Sequence, residues 1–395
     1  MEKKLHRILA EAAVGILKSV FEDGMVADRA VGRVLGANPK WGRRDRAFVA
    51  ETVYEIIRRK RRLEVLAGSA EWWSVCGFWW GTQGYARPEW AAWDEVAESV
   101  RIGRGAELEA MPAAVRFSTS DAFDALGRQE LGAGWEVELA AMDHAAPVYL
   151  RVNPRRGNLS SVIAALEAGG VAVEPVPGCA LGLKLAAGKS VSAQMRESGL
   201  FEIQDAGSQQ VAPFCQVAPG MRVVDACAGA GGKTLHLAAL MEGQGDLLAM
   251  DVQERKLETL KHRAARATVK VRTALIDDAV LTKNRALADR VLVDAPCSGS
   301  GTLRRQADLK YRIDEASVAE NCRVQREVLE RCAPLVRPGG KLIYATCSIL
   351  PCENAGQVSW FSGAHPEFEL EEQHSISPAE TGWDGFFMAR WRRKD

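Results

Sequence analysis

The spacing of apolar residues divides the chain into three regimes. Near the amino end, Leu5, Ile8, Leu9, Ala12, Ala13, Ile16 and Leu17 recur at intervals of three and four, the period of an amphipathic helix. Val49, Val53, Ile56 and Ile57 repeat it in a second helix, preceded by Asp45. One more helix is expected over 120–131, then a linker, so residues 1–140 read as an all-α domain. The pattern then changes. Residues 148–152 read as a strand closed by Asn153-Pro154, 160–168 as a helix ended by Gly169-Gly170, and 171–173 as another strand. Residues 145–205 are therefore expected to form a small α+β unit. From 206 to 395 strands and helices alternate. Strands are predicted over 222–225, 247–251, 271–276, 291–294 and 341–345. Helices are predicted from Thr234, over 254–266, and over 317–335, where Pro338-Gly339-Gly340 stops the chain. Repeated β-then-α units predict a doubly wound, mostly parallel sheet of Rossmann-like α/β class. Residues 386–392 are expected to add an antiparallel edge strand.

Composition narrows the picture. A chain of 395 residues has room for several domains and a large core. Its 51 basic and 51 acidic residues cancel, so nucleic-acid binding would have to rest on a local patch. One candidate patch is the polar face of the second helix, with Arg43, Arg44, Arg46, Arg58, Arg59, Lys60, Arg61 and Arg62. Such a run is either a solvated face or a phosphate-binding surface. Trp72, Trp73, Trp79, Trp80, Trp90 and Trp93 follow it. Anchoring a helical core is the preferred reading for them over base stacking. The nine cysteines lack paired metal half-sites, so no metal site is expected and free thiols in a reducing, cytoplasmic compartment are. The charged start and the absence of a long apolar run predict neither leader nor membrane span.

The chemistry collects at the predicted strand ends, where open α/β sheets bind ligands. The loop Cys227, Ala228, Gly229, Ala230, Gly231, Gly232, Lys233 lets backbone approach a ligand closely. Its spacing fails the dinucleotide fingerprint, which argues against an oxidoreductase, and the Walker pattern of nucleotide triphosphatases. Asp251 ends the second strand, where a carboxylate is placed for ribose hydroxyls, and Asp278 follows the third, within reach of a base edge. Together they describe a nucleoside cofactor. Asp294 and Cys297 follow the fourth strand and Cys347 the fifth. Adjacent strand ends lie about 5 Å apart, so two thiols and a carboxylate face one crevice. A thiolate adds to an electron-poor ring such as cytosine, and an acid holds the ring nitrogen. Two inert buried thiols are the plainer reading of either cysteine alone.

These residues also carry a resemblance. Asp225 to Thr234, Asp294-Ala295-Pro296-Cys297-Ser298-Gly299-Ser300-Gly301-Thr302, and Tyr344-Ala345-Thr346-Cys347-Ser348-Ile349 with Glu353-Asn354 resemble the RsmB/Sun (NOL/NOP/NSUN) family of RNA cytosine-5 methyltransferases. Gln204 to Gln209, Asp308-Leu309-Lys310 and Asp384-Gly385-Phe386-Phe387 support it, and the likeness covers 145–395. The resemblance implies S-adenosyl-L-methionine on Cys227–Lys233, with Asp251 on the ribose and Asp278 on the adenine side. It implies Asp294 between cofactor and cytosine, Cys347 as nucleophile, and Cys297 as the residue that helps release product. It further implies an RNA partner, ribosomal RNA first and tRNA as the alternative, acted on by a monomer. The third reading is a ribosome assembly factor that binds RNA without catalysis. Residues 1–140 are more weakly similar to the family's NusB-like helical RNA-binding domain through Arg43 to Arg46 and Val53 to Arg58. Residues 145–205 would be its RRM-like insertion. The family loop commonly reads Cys-Ala-Ala-Pro-Gly-Gly-Lys, and Gly229-Ala230 departs from it. Asp277 stands where the family usually has glycine, and Cys352 where glutamate is common.

Overall fold

The structure, a computed structural model, describes residues 3–395. The chain forms two compact units. One comprises residues to Ala145 together with Leu303–Glu315, the other Ala146–Thr302 and Ala316–Asp395. Among the described residues, no helix is long and apolar enough to cross a membrane.

The first unit is helical. Arg7–Phe21, Ala27–Ala37, Arg43–Ala67 and Trp72–Thr82 bury the periodic positions Ile16, Leu17, Val49, Val53 and Ile56. The tryptophans anchor this core, as expected. Trp73 stacks on Trp93 with centroids 5.9 Å apart, and the Trp80 indole donates to Thr52 Oγ1 at 3.2 Å. Two expectations need correction. Asp45 does not precede its helix. It lies in the first turn and its carboxylate accepts from the Gly42 N–H at 3.1 Å, which caps the helix start. The linker expected after 131 is a helix, Gly134–Ala141, because Trp135 is fully buried there. Its indole donates to Asp124 at 2.8 Å.

The basic run is mostly spent inside this unit. Arg58 is corrected from the polar face to the interior: it is 3% exposed and donates to the Arg304 carbonyl at 2.9 Å. Lys60 pairs with Glu64 at 2.6 Å, Arg61 with Asp121 at 2.6 Å and Arg62 with Asp143 at 3.1 Å. Arg46 donates to the carbonyls of Trp41 and Asn38. Arg43 and Arg44 remain exposed. Asp308 and Lys310, from the Leu303–Glu315 excursion, also belong here. Asp308 accepts from the Ala27 N–H at 3.2 Å at a helix start. Lys310 is fully buried, donates to Phe117 O at 2.9 Å, and is lowered by burial to about 8.

The second unit holds two sheets. Strands β1 (Tyr149–Val152), β2 (Val173–Pro175), β3 (Gly182–Leu185) and β4 (Phe201–Ile203) form an antiparallel sheet in the order β2-β3-β1-β4. With the Leu159–Ala168 and Ala193–Glu197 helices this is a βαββαβ unit, the split arrangement of ferredoxin-like and RRM-like folds. The large sheet contains β5 (Arg222–Asp225), β6 (Asp246–Asp251), β7 (Arg272–Leu275), β8 (Ala288–Asp294), β9 (Val336–Thr346), β10 (Phe368–Ile376) and β11 (Phe386–Arg393). Their order is β10-β11-β9-β8-β5-β6-β7. The five strands from β9 to β7 are parallel, as Val, Leu and Ile runs covered on both faces require. Two details differ from expectation. Pro338 to Gly340 do not precede the strand but lie within β9, and β11 is not the edge. β11 is sandwiched between β9 and β10, and the edge is β10, whose seven central residues are all exposed. Its polar sequence hid it.

Candidate active site

Loops from β5, β8 and β9 converge where the strand order reverses. The chain runs from β5 outward through β6 and β7, then returns to lay β8 on the other flank of β5. At such a switch point the loops part and leave a ligand crevice.

The glycine-rich loop follows β5. Its Gly229 N–H donates to Asp251 Oδ2 at 2.9 Å, and Asp251 Oδ1 accepts from Gln253 N at 2.8 Å. The carboxylate at the end of β6 is thereby fixed beside the loop. Gly229 and Gly231 have φ of +54° and +90°, a region costly for side chains. A Cβ at Gly231 would strike Leu260, whereas one at Gly229 or Gly232 would meet nothing within 4 Å. The open side of the loop is thus a cradle beside a ribose-type carboxylate, and it fits a nucleoside cofactor. Thr234 in the following helix donates to Asp225 Oδ2 at 2.6 Å, and burial pushes the Asp225 carboxyl up to about 7. Cys227 and Ala228 face the core at the loop base. Burial, with the Cys332 thiol and Asp225 adding, pushes the Cys227 thiol well up and leaves it unreactive.

The reactive groups sit on the other side. Lys233 Nζ lies 2.7 Å from Asp294 Oδ2 and 5.0 Å from the Phe386 ring centroid. Burial works against the Lys233 ammonium, but Asp294 outweighs it and holds the group above its ordinary range. Strands β8 and β9 pair in parallel with Asp294 opposite Ala345. That register brings Cys297 Sγ within 3.4 Å of Cys347 Sγ. The hydrogen bond to Cys347, followed by burial, pushes the Cys297 thiol far up, and either sulfur can donate to the other. Lys233 is within electrostatic reach of Cys347.

The thiols are held by groups with no assigned role in the sequence reading. Glu353, fully buried, accepts from Ser298 N at 2.8 Å, Ser298 Oγ at 2.5 Å and Gln325 Nε2 at 3.1 Å. Gln325 also donates to Pro296 O at 3.0 Å. Ser348 meets Ser300 hydroxyl to hydroxyl at 2.9 Å, and Gly301 N donates to Cys347 O at 2.9 Å. The two cysteine loops are therefore stitched together. Gly301 packs on Gly385 so closely that a Cβ would lie 2.3 Å from its carbonyl, which docks the Asp384 to Phe387 motif against the Cys297 loop. One signal for Gln325 was available. It is the polar member of the buried stripe Val318, Gln325, Leu329, Cys332 on its helix. Ser298 and Ser300 read as ordinary turn residues. Replacing Glu353 with alanine strands the Ser298 N–H and the Gln325 amide. Each buried orphan costs about 1–3 kcal/mol, so the melting temperature should fall by roughly 4–12 °C and the thiols lose their register. Thermal melting and transfer assays of this variant check it, and an unchanged midpoint would remove the clamp.

Asp278 stands apart from this cluster. It is exposed in the first turn of the Asp278–Lys283 helix and pairs with Arg331 at 3.3 Å, while Asp277 caps that helix through Val280 N at 2.7 Å. The strand ends thus bring together Lys233, Asp294, Cys297 and Cys347, with Asp251 beside the glycine-rich loop, and do not bring Asp278 to them. Among the described residues, no group of three or more His, Cys, Asp or Glu is placed to hold a metal ion.

A doubly wound sheet with a glycine-rich cradle after its first strand and a ribose-type carboxylate after its second defines a Rossmann-like methyltransferase fold. The comparisons agree. Residues 214–392 match the family described as 16S rRNA methyltransferase RsmB/F, and residues 126–192 match the ferredoxin-like domain of RsmF/B-like methyltransferases. Over these two stretches the chain is similar to RsmB/F methyltransferases. Ribosomal RNA small subunit methyltransferase B of Salmonella arizonae is 33% identical over 273 residues, which are 66% of this chain and 63% of that protein. The chain thus spans just under two thirds of the length of the curated relatives it matches. A methyltransferase homolog protein from Pyrococcus horikoshii is 26% identical, with TM-score 0.62, over 71% of this chain and 97% of its own. Another solved chain shares the fold across the full length of both molecules, with TM-score 0.81 and 24% identity.

Proposed function

We propose that this protein is an S-adenosylmethionine-dependent RNA cytosine-5 methyltransferase acting on ribosomal RNA. The observation that carries the reading is the thiol pair, 3.4 Å apart, beside the Lys233–Asp294 ion pair. Kinship with small-subunit methyltransferases favours ribosomal RNA over tRNA. The cradle Cys227–Lys233 and Asp251 would hold the cofactor. Asp278 is assigned to the outer, adenine side. Bound there, S-adenosylmethionine supplies an electrophilic methyl group.

The chain's residues do the rest. The target cytosine is turned out of its stack to enter the crevice. The Cys347 sulfur, as thiolate, bonds to carbon 6, and the ring's 5,6 electron pair shifts to carbon 5. Asp294, held by Lys233, takes the amino and ring-nitrogen edge of the base, and the Lys233 ammonium offsets the negative charge that develops on the ring. Carbon 5, now nucleophilic, accepts the methyl group. A water molecule takes the carbon 5 proton, the electron pair returns to the 5,6 bond and the Cys347 sulfur is expelled. Cys297 hands its proton to that departing sulfur. Arg43 and Arg44 are assigned, with Arg46 beside them, to phosphate contacts, and Arg58 is withdrawn from that set because it is buried.

The test is methyl transfer from labelled cofactor to unmodified small-subunit ribosomal RNA and to tRNA transcripts, with bisulfite sequencing of the product. 5-Methylcytosine in the ribosomal transcript is expected. Label on tRNA alone moves the substrate. RNA binding with no transfer leaves the assembly-factor reading.

A further inference from the structure

Between Cys227 and Lys233 the loop carries only glycine and alanine, and two of its carbonyls are held from outside. Arg263, on the Glu254–Ala267 helix, donates from Nη1 to Ala230 O at 2.7 Å. Arg151, on β1 and 1% exposed, donates to Gly232 O at 3.4 Å. These are the residues on either side of Gly231. Both arginines are themselves fixed by the small antiparallel sheet. Glu202 on β4 accepts from Arg263 Nε and Nη2 at 3.1 and 2.6 Å, and its other oxygen accepts from Arg266 at 3.0 Å. Gln204 accepts from Arg151 at 2.6 Å.

At the base of the loop, Ala228 N donates to Met250 O and Gly231 N to Ala228 O, each at 2.9 Å, and Gly229 N to Asp251; at its far end Leu235 N donates to Gly231 O at 2.9 Å and Lys233 Nζ to Asp294 at 2.7 Å. With Gly229 and Gly231 on either side and the helix beginning only at Gly232, the peptide at Ala230 is the part of the loop most free to turn without Arg263. A ligand that binds a mobile loop must first order it, which lowers affinity. The Ala230 and Gly232 carbonyls face the arginines, and a Cβ at Gly229 or Gly232 would meet nothing within 4 Å, which leaves space there for a ligand.

We infer that Arg263, held by Glu202, is a positioning residue that pre-shapes the cofactor loop, so that the ferredoxin-like unit sets cofactor affinity. The inference rests on the proposed S-adenosylmethionine-binding function of that loop. It assigns the small sheet a task beyond joining two parts of the chain.

The full-length protein and its Arg263→Gln and Arg263→Lys variants provide the test. Arg263 is 20% exposed at its side chain, so glutamine is tolerable where a change at Glu202 would strand two arginines, Arg263 and Arg266. Calorimetric titration with S-adenosylmethionine should show about tenfold weaker binding in Arg263→Gln, the scale of one lost bond from a charged donor. Hydrogen–deuterium exchange of residues 227–233 without cofactor should be faster in that variant. KM for the cofactor should rise with kcat at saturation retained, and Arg263→Lys should recover part of the affinity. Wild-type affinity together with wild-type loop exchange in Arg263→Gln would overturn the inference. If the parent protein bound no cofactor, the functional reading would fall, and loop exchange would still decide whether Arg263 shapes the loop.

Discussion

Cys347→Ala is expected to reduce methyl transfer to RNA by at least about a thousandfold, because it removes the nucleophile rather than a contact. Carbon 5 of cytosine is a poor nucleophile until a bond forms at carbon 6, so no other group in the crevice substitutes by proximity. The variant should still bind S-adenosylmethionine. The cradle and Asp251 take their shape from Gly229, Gln253 and the arginines, and none of these bonds involves Cys347. Cys347→Ser tests the chemistry more finely. A hydroxyl fills the space but ionises far less readily than a thiol, so it too should be inactive. Label transfer and cofactor titration on the same preparations separate the effects. Full activity in Cys347→Ala would shift the nucleophile to Cys297, since both sulfurs reach the same point.

Much of this site was legible in the sequence because strand ends in a parallel sheet are predictable meeting points. Five short runs marked the strands, four of them buried, and the acid or thiol after those four marked the crevice. What was hidden depended on contacts distant in sequence. β10 is solvated along most of its length and carries little apolar signal, so β11 looked like the edge. Residues 303–315 lie between two catalytic motifs, yet they fold with the helices, where Lys310 is buried against backbone carbonyls. Arg58 illustrates the same limit. In a run of cations it looks like surface, and its carbonyl partners at Leu303 and Arg304 are more than 240 residues away. Glu353 was visible as part of a motif, but its work follows from three donors on two other segments. The Arg263–Glu202 pair left no local trace, because each residue alone is an ordinary charged position.

Cys297→Ala should give the opposite phenotype to Cys347→Ala: a covalent protein–RNA complex that persists. The attacking sulfur remains, so the adduct at carbon 6 still forms and carbon 5 still takes its methyl group. Release then proceeds without the proton that Cys297 holds 3.4 Å from the departing sulfur. Denaturing gels of the variant with unmodified ribosomal RNA and cofactor should show a slow band that ribonuclease collapses. The double variant lacking both thiols should show none, which separates a Cys347 adduct from cross-links elsewhere. The alanine leaves a small gap beside Cys347, and Cys297→Ser, which fills it with a weaker acid, should trap the adduct as well. A variant that turns over at the parent rate with no trapped band would deny Cys297 its part in release. The pair would then be two thiols in register, of which one is chemically idle.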